Sequence, residues 1–280
     1  MIEHRGVEKL KQSISETVTI VTAFVDIGRD SWEGVVNGAR IDGFIKRDVD
    51  TYFQRFERLT KLNNPIVCYI HSMYHQRIKS LRSDITVVAI DDILTTNREY
   101  LDRIEAIQTN PTFIKFVTRP SVPEYFSPGY VLVTSRKAQF CNHAITNGLT
   151  KTNTVAWIDF GYGRPETPIP IGLEWKFNTD DKINLVCNSK TPIMELPIFE
   201  IIRSGEVYIQ GCHVIAPAHQ WKYLETSFNN SLNSMLNIGV TDDDQTLFLM
   251  AYRDAPELFK IHYVDPNSFW FMIFRDFHHE

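Results

Sequence analysis

The residue types able to do chemistry collect at a few points in the 280-residue chain. In T-V-A-W-I-D-F-G-Y-G-R, residues 154–164, four apolar side chains lead into one carboxylate, Asp159, and Gly161 and Gly163 follow at once. Such a run reads as a buried parallel strand, and ligands of open α/β sheets bind just beyond the carboxyl ends of strands. A carboxylate there suits Mg²⁺ or Mn²⁺ bridging to a diphosphate. Equally, Asp before Gly is ordinary turn chemistry, and Asp159 then only caps the turn. Asp26 with Arg29 closes an earlier apolar run, and Asp91 with Asp92 another. Asp91 and Asp92 offer either a metal pair or the cap of the helix that follows.

Two further clusters are Q-G-C-H, residues 210–213, and T-D-D-D-Q, residues 241–245. Three consecutive Asp residues before an apolar helix favour its macrodipole, and Thr241 or Asp242 can cap it. Capping explains one or two of the three, since adjacent like charges repel. The remaining role is a general base facing a hydroxyl, with Asp244 first and Asp243 next. Lys137 and Arg136 stand on the helix entering the Asp159 strand, as charges for a diphosphate or as a solvated face. His262 is open to two readings, a metal shell shared with Asp159 or a half-buried histidine.

The elements that must position these groups alternate. Residues 2–14 have helical apolar spacing. Strands are expected over 18–27, 65–71, 85–92 and up to Ile158, with helices over 44–62, 97–108 (opened by an Asn97 cap) and 130–149. That order predicts a doubly wound, mainly parallel sheet flanked by helices. After Arg164 prolines punctuate short strands near 183–188 and 207–211. Long helices over 217–236 and 242–252 follow, as in an α+β half laid against the first. The closing F-W-F-M-I-F, residues 269–274, reads as a buried strand more than a membrane foot.

Composition sets limits. Hydrophobic residues at 43% and charged residues at 22% belong to a globular chain. A net charge of −5 argues against a nucleic-acid partner. Four dispersed cysteines, without a C-x-x-C pair, are expected reduced. P-loop, Rossmann, G-x-S-x-G and H-E-x-x-H fingerprints are absent from the sequence. The first residues lack an apolar signal core, and no run nears a bilayer span, so a cytoplasmic protein is expected, with at most peripheral contact at the inner face of the plasma membrane.

Four ordered motifs add a resemblance: T-I-V-T-A-F-V-D-I-G-R (19–29), D-T-Y-F-x-x-F-x-x-L (50–59), W-I-D-F-G-Y (157–162) and D-D-Q-T-L-F (243–248). Together they resemble the HtrL/YibB family, bacterial proteins of surface-polysaccharide loci that are similar to glycosyltransferases of the GT-A fold. The resemblance implies one GT-A-like domain over 1–280, with a nucleotide-sugar half (17–164) and an acceptor half (165–280). It implies that Thr22, Ala23, Phe24, Asp26 and Arg29 hold the nucleotide, with Lys137 and Arg29 on the phosphates. Asp159 and His262 would ligate Mn²⁺ or Mg²⁺, although Gly161 replaces the second carboxylate of the usual D-x-D. Gly161, Gly211 and His213 would line the site, and Asp244 or Asp243 would be the base. The implied activity is transfer from a UDP-sugar, galactose in pyranose or furanose form or a related hexose, to a growing surface glycan. Lipooligosaccharide, O-antigen, capsule or a lipid-linked glycan is the implied acceptor. Two rival readings are a non-catalytic sugar-nucleotide-binding assembly protein and a metal-dependent phosphohydrolase using Asp91, Asp92 and Asp159.

Overall fold

The computed structural model describes residues 15–188, 195–265, 267 and 269–276; the helix expected over 2–14 lies outside them. Its strands are β1 (Glu16–Phe24), β2 (Val35–Val36), β3 (Ala39–Arg40), β4 (Ile66–Ile70), β5 (Thr86–Ala89), β6 (Thr154–Ile158), β7 (Lys176–Phe177), β8 (Ile183–Cys187), β9 (His213–Pro217) and β10 (Phe259–Tyr263). A small hairpin is formed by β2 and β3. The others build one sheet in the order β10-β8-β9-β6-β1-β4-β5, with β7 pairing to the start of β1.

Four of the expected strands, β1, β4, β5 and β6, are parallel to one another. Every residue of β4, β6, β8 and β9 is buried, which explains the continuous apolar runs that mark β4 and β6 in the sequence. Side chains on one face, among them Val21, Tyr69 and Trp157, pack on the helices 98–108, 128–135, 137–146, 221–237 and 244–254. On the opposite face Ile20, Ile66 and Ile158 meet Phe53, Phe56 and Leu59 of the helix Val49–Leu59. All four cysteines are buried.

Several expectations need correcting. The second half is not a lobe laid against the first, because β8, β9 and β10 extend the same sheet. One of them, β9, runs antiparallel to both β6 and β8. The strand expected near 207–211 is an isolated bridge at Ile209, and the ladder begins at His213. The helix expected over 130–149 is two helices, Pro128–Ser135 and Lys137–Thr146, broken at Arg136. Thr134 and Ser135 donate their hydroxyls back to the carbonyls of Tyr130 and Leu132, a competition that bends helices. Asn97 makes no cap bond; its side-chain amide donates to Ile93 and its carbonyl oxygen accepts from Arg136. Residues 269–274 are not a strand. Ile273 donates its N–H to the Tyr162 hydroxyl, and Phe271 and Phe274 pack edge-on against the Tyr162 ring.

Candidate functional site

The carboxyl ends of β1 and β6 open into a cavity of about 390 Å³, walled in part by Ala23, Phe24, Asp26, Lys137, Asp159, Asp243 and Asp244. This is where an open α/β sheet presents ligands. Trp270 and Phe271, from the segment expected as a strand or membrane foot, also line it.

Its floor is an ion-pair network centred on Lys137, the first residue of its helix. The Lys137 ammonium lies 2.8 Å from Asp159 Oδ1 and 2.8 Å from Asp244 Oδ2, and donates to the Gly211 carbonyl at 2.9 Å. An ammonium has three donors, and all three are engaged. Burial works against a charged Lys137, but the two carboxylates outweigh it and hold its pKa above the ordinary ammonium range. The network depends on Gly211, since a Cβ there would stand 2.1 Å from Asp244 Oδ2.

The three aspartates divide their work. Asp243 is the helix N-cap, its Oδ1 accepting from the Gln245 N–H at 3.0 Å. Asp242 accepts from the Thr246 hydroxyl at 2.7 Å and from the Asp243 N–H. Asp244 goes to Lys137. Burial pushes Asp242 up to about 8, aided by the neighbouring Glu124. Burial also drives Asp243 well above the carboxylate range, with Asp244, Asp242 and Glu124 adding to it. For Asp244 burial raises the pKa while Lys137 pulls against the rise. Of the two candidate bases, Asp244 is therefore the one held toward its ionised form.

The remaining sequence-predicted residues divide into those brought to the cavity and those kept away. Asp26 accepts from the Gly28 N–H at 2.9 Å, fixing the loop after β1. Arg29 lines the cavity but is already engaged, donating to the Ile45 carbonyl and the Tyr52 hydroxyl. Thr22 is buried inside β1 and is not in the cavity wall. His213 pairs with Ile158 in the sheet; burial pushes it down to about 3, so it is neutral, and it does not line the cavity. Arg136 turns away to Asn229 and Asn97. Asp91 and Asp92 stand at β5, where Asp91 accepts from the Ser72 N–H, and neither reaches the cavity.

Nor are the two expected metal ligands brought together. His262 lies on the edge strand β10 against Asn184, at 2.8 Å, while Asp159 is taken by Lys137 and by the Trp157 indole N–H at 2.7 Å. No group of three His, Cys, Asp or Glu side chains with metal-holding geometry exists among the described residues. At residue 161 a Cβ would stand 3.1 Å from the Tyr52 ring, so a side chain there would have to displace that ring slightly.

Sequence reasoning missed Glu124 and Tyr130, on the short helices between 123 and 135, and the arginines Arg47, Arg119 and Arg164. Only Arg164, directly after D-F-G-Y-G, carried a signal. The others read as ordinary surface charges.

Fold and site together define a mixed α/β protein with a carboxylate–lysine network in a cavity at the carboxyl ends of its central strands. Residues 16–279 match the family described as "Bacterial protein of unknown function (HtrL_YibB)". The chain is also 36% identical over 271 residues to Protein HtrL of Escherichia coli (strain K12), covering 94% of this chain and 93% of that protein. It belongs to the HtrL/YibB family. Among the described residues no helix is long and apolar enough to cross a membrane.

Proposed function

We propose that the protein is a glycosyltransferase that moves a hexose from a UDP-sugar, galactose being the first to try, to a hydroxyl of a bacterial surface glycan. The observation carrying this reading is Asp244, a buried carboxylate whose Oδ2 is fixed by Lys137 on the floor of a cavity at the carboxyl edge of the sheet. A single sheet shared by both halves also agrees with a GT-A-like domain. The acceptor hydroxyl gives its proton to Asp244, and its oxygen bonds to the anomeric carbon. The bond from that carbon to the diphosphate oxygen breaks, and UDP leaves with the electron pair. Lys137 orients Asp244 and favours its ionised form. Asp159, held by the same ammonium, positions Lys137. No step is assigned to Asp159 as a metal ligand, since its Oδ1 is paired with Lys137.

The test is UDP release from UDP-hexoses with and without a truncated lipooligosaccharide acceptor. Asp244→Asn should lower kcat by about 10²–10⁴-fold while UDP binding stays near that of the native protein. An equal loss of binding and turnover would make Asp244 a structural group. UDP binding with no turnover on any acceptor would favour the non-catalytic binding reading.

A further inference from the structure

Three guanidinium groups gather at the cavity, where Glu166 acts on Arg55 and Arg164 as an opposite charge without forming an ion pair. Arg47 and Arg164 line the cavity, and Arg55 stands beside them on the helix Val49–Leu59. Among the described residues none of the three forms an ion pair, although exposed carboxylates are frequent elsewhere on the chain. Each carries a buried guanidinium nitrogen with no hydrogen-bond partner: Nε of Arg47, Nη1 of Arg55 and Nε of Arg164. Leaving a buried charged donor unsatisfied is costly, and an anion bound among the three would satisfy all of them at once. The like charges act on one another. Burial, then Arg47 and Arg55, lower the pKa of Arg164 to about 10.

The geometry is built rather than incidental. Gly163 lets the loop carrying Arg164 lie against the helix of Arg55, since a Cβ there would come within 2.4 Å of the Arg55 carbonyl. Arg58 secures the same loop by donating to the carbonyls of Pro165 and Thr167. The Arg164 guanidinium is stacked 3.8 Å from the centre of the Phe271 ring, which fixes its plane. Planar, oriented guanidinium groups match phosphate oxygens in pairs.

We propose that Arg47, Arg55 and Arg164 form a phosphoanion subsite that holds a diphosphate by direct guanidinium contacts. That the diphosphate is the sugar donor's rests on the glycosyltransferase reading; the anion chemistry does not. The subsite takes over the neutralising task that Lys137, with its three donors engaged, does not perform.

The experiment is calorimetric titration of the full chain, in EDTA, with inorganic pyrophosphate, inorganic phosphate, UDP and UDP-galactose. Pyrophosphate and UDP should bind, and Arg47→Gln/Arg164→Gln should weaken both by at least about tenfold. The ligand-free double variant should melt at the same temperature or higher, because like-charge repulsion is relieved. Arg164→Lys, which keeps the charge but loses the fork, guards against a misfolded double variant and should also weaken pyrophosphate binding. Pyrophosphate binding that is absent, or unchanged in these variants, would overturn the subsite, as would a lower melting temperature without any change in affinity. Pyrophosphate bound at the arginines with no affinity for any UDP-sugar would leave the subsite standing and remove the donor assignment, pointing to a phosphate on the acceptor. UDP-galactose bound equally well by the native protein and the variants would do the reverse.

Discussion

Three adjacent carboxylates repel unless each is given its own partner, and Asp242, Asp243 and Asp244 are given a threonine hydroxyl, a helix end and an ammonium. Lys137 is the most consequential of these partners. Replacing it with Met would leave Asp244, with 3% of its side chain exposed, as a buried charge without a cation. Lys137→Met should destabilise the fold by about 3–5 kcal/mol, read as a shift in the urea midpoint. A pH dependence follows from the neighbours. The folded protein keeps the Asp242 proton up to about 8 and the Glu124 proton up to about 7, burial being the main cause in both. The unfolded chain gives them up near the ordinary values of 3.8 and 4.5. Between those limits the folded state binds more protons at these two carboxyls, which outweighs the opposite contribution of the single buried His213 below 6.5, so stability falls as pH rises from about 4 to about 8. Thermal melts across that window should show a decreasing Tm, and Asp242→Asn should flatten the trend.

The elements were legible where their signals are local. Each of β1, β4, β5 and β6 is a short apolar run closed by a polar loop, and the helix Val49–Leu59 carries its buried Phe53, Phe56 and Leu59 at three-residue intervals. What stayed hidden is non-local. H-V-I-A-P in β9 has the same composition as a parallel strand, and only its pairing with Trp157 and Ala156 sets its direction. The pairing of Lys137 with Asp244 joins residues 107 positions apart, so neither side chain announces the other. Asp159, Asp244 and Gly211 were legible as site residues because strand ends and an aspartate run mark them. The arginines were not, because nothing in a helix such as T-Y-F-Q-R-F distinguishes a guanidinium facing a cavity from one facing water. Gly163 shows the same limit, since its need is set by the helix beneath it. Gly163→Ala should destabilise the protein by about 1–3 kcal/mol, measured by denaturant unfolding, because the clash is with Arg55 backbone and not a movable side chain.

At the scale of the whole molecule the two halves share a sheet, so neither is expected to stand alone. A fragment of residues 15–164 would leave the β6 edge without β9 and strip Trp157 and Val155 of the helix Trp221–Asn237. It should show no cooperative urea transition by circular dichroism, whereas the full chain should. The order of strands carries a further consequence, for how the chain finds its fold as it is synthesised. β8 emerges before β9, yet its place is on the far side of β9 from β6. Until residues 213–217 arrive, the open edge of β6 is a docking line that β8 can occupy in the wrong seat. Once there it must be evicted before the antiparallel strand can enter. Such long-range insertion is slow and exposes apolar edges. The insertion of the antiparallel strand beside the cavity is thus also the step at which a nascent chain is most open to capture by a neighbouring copy.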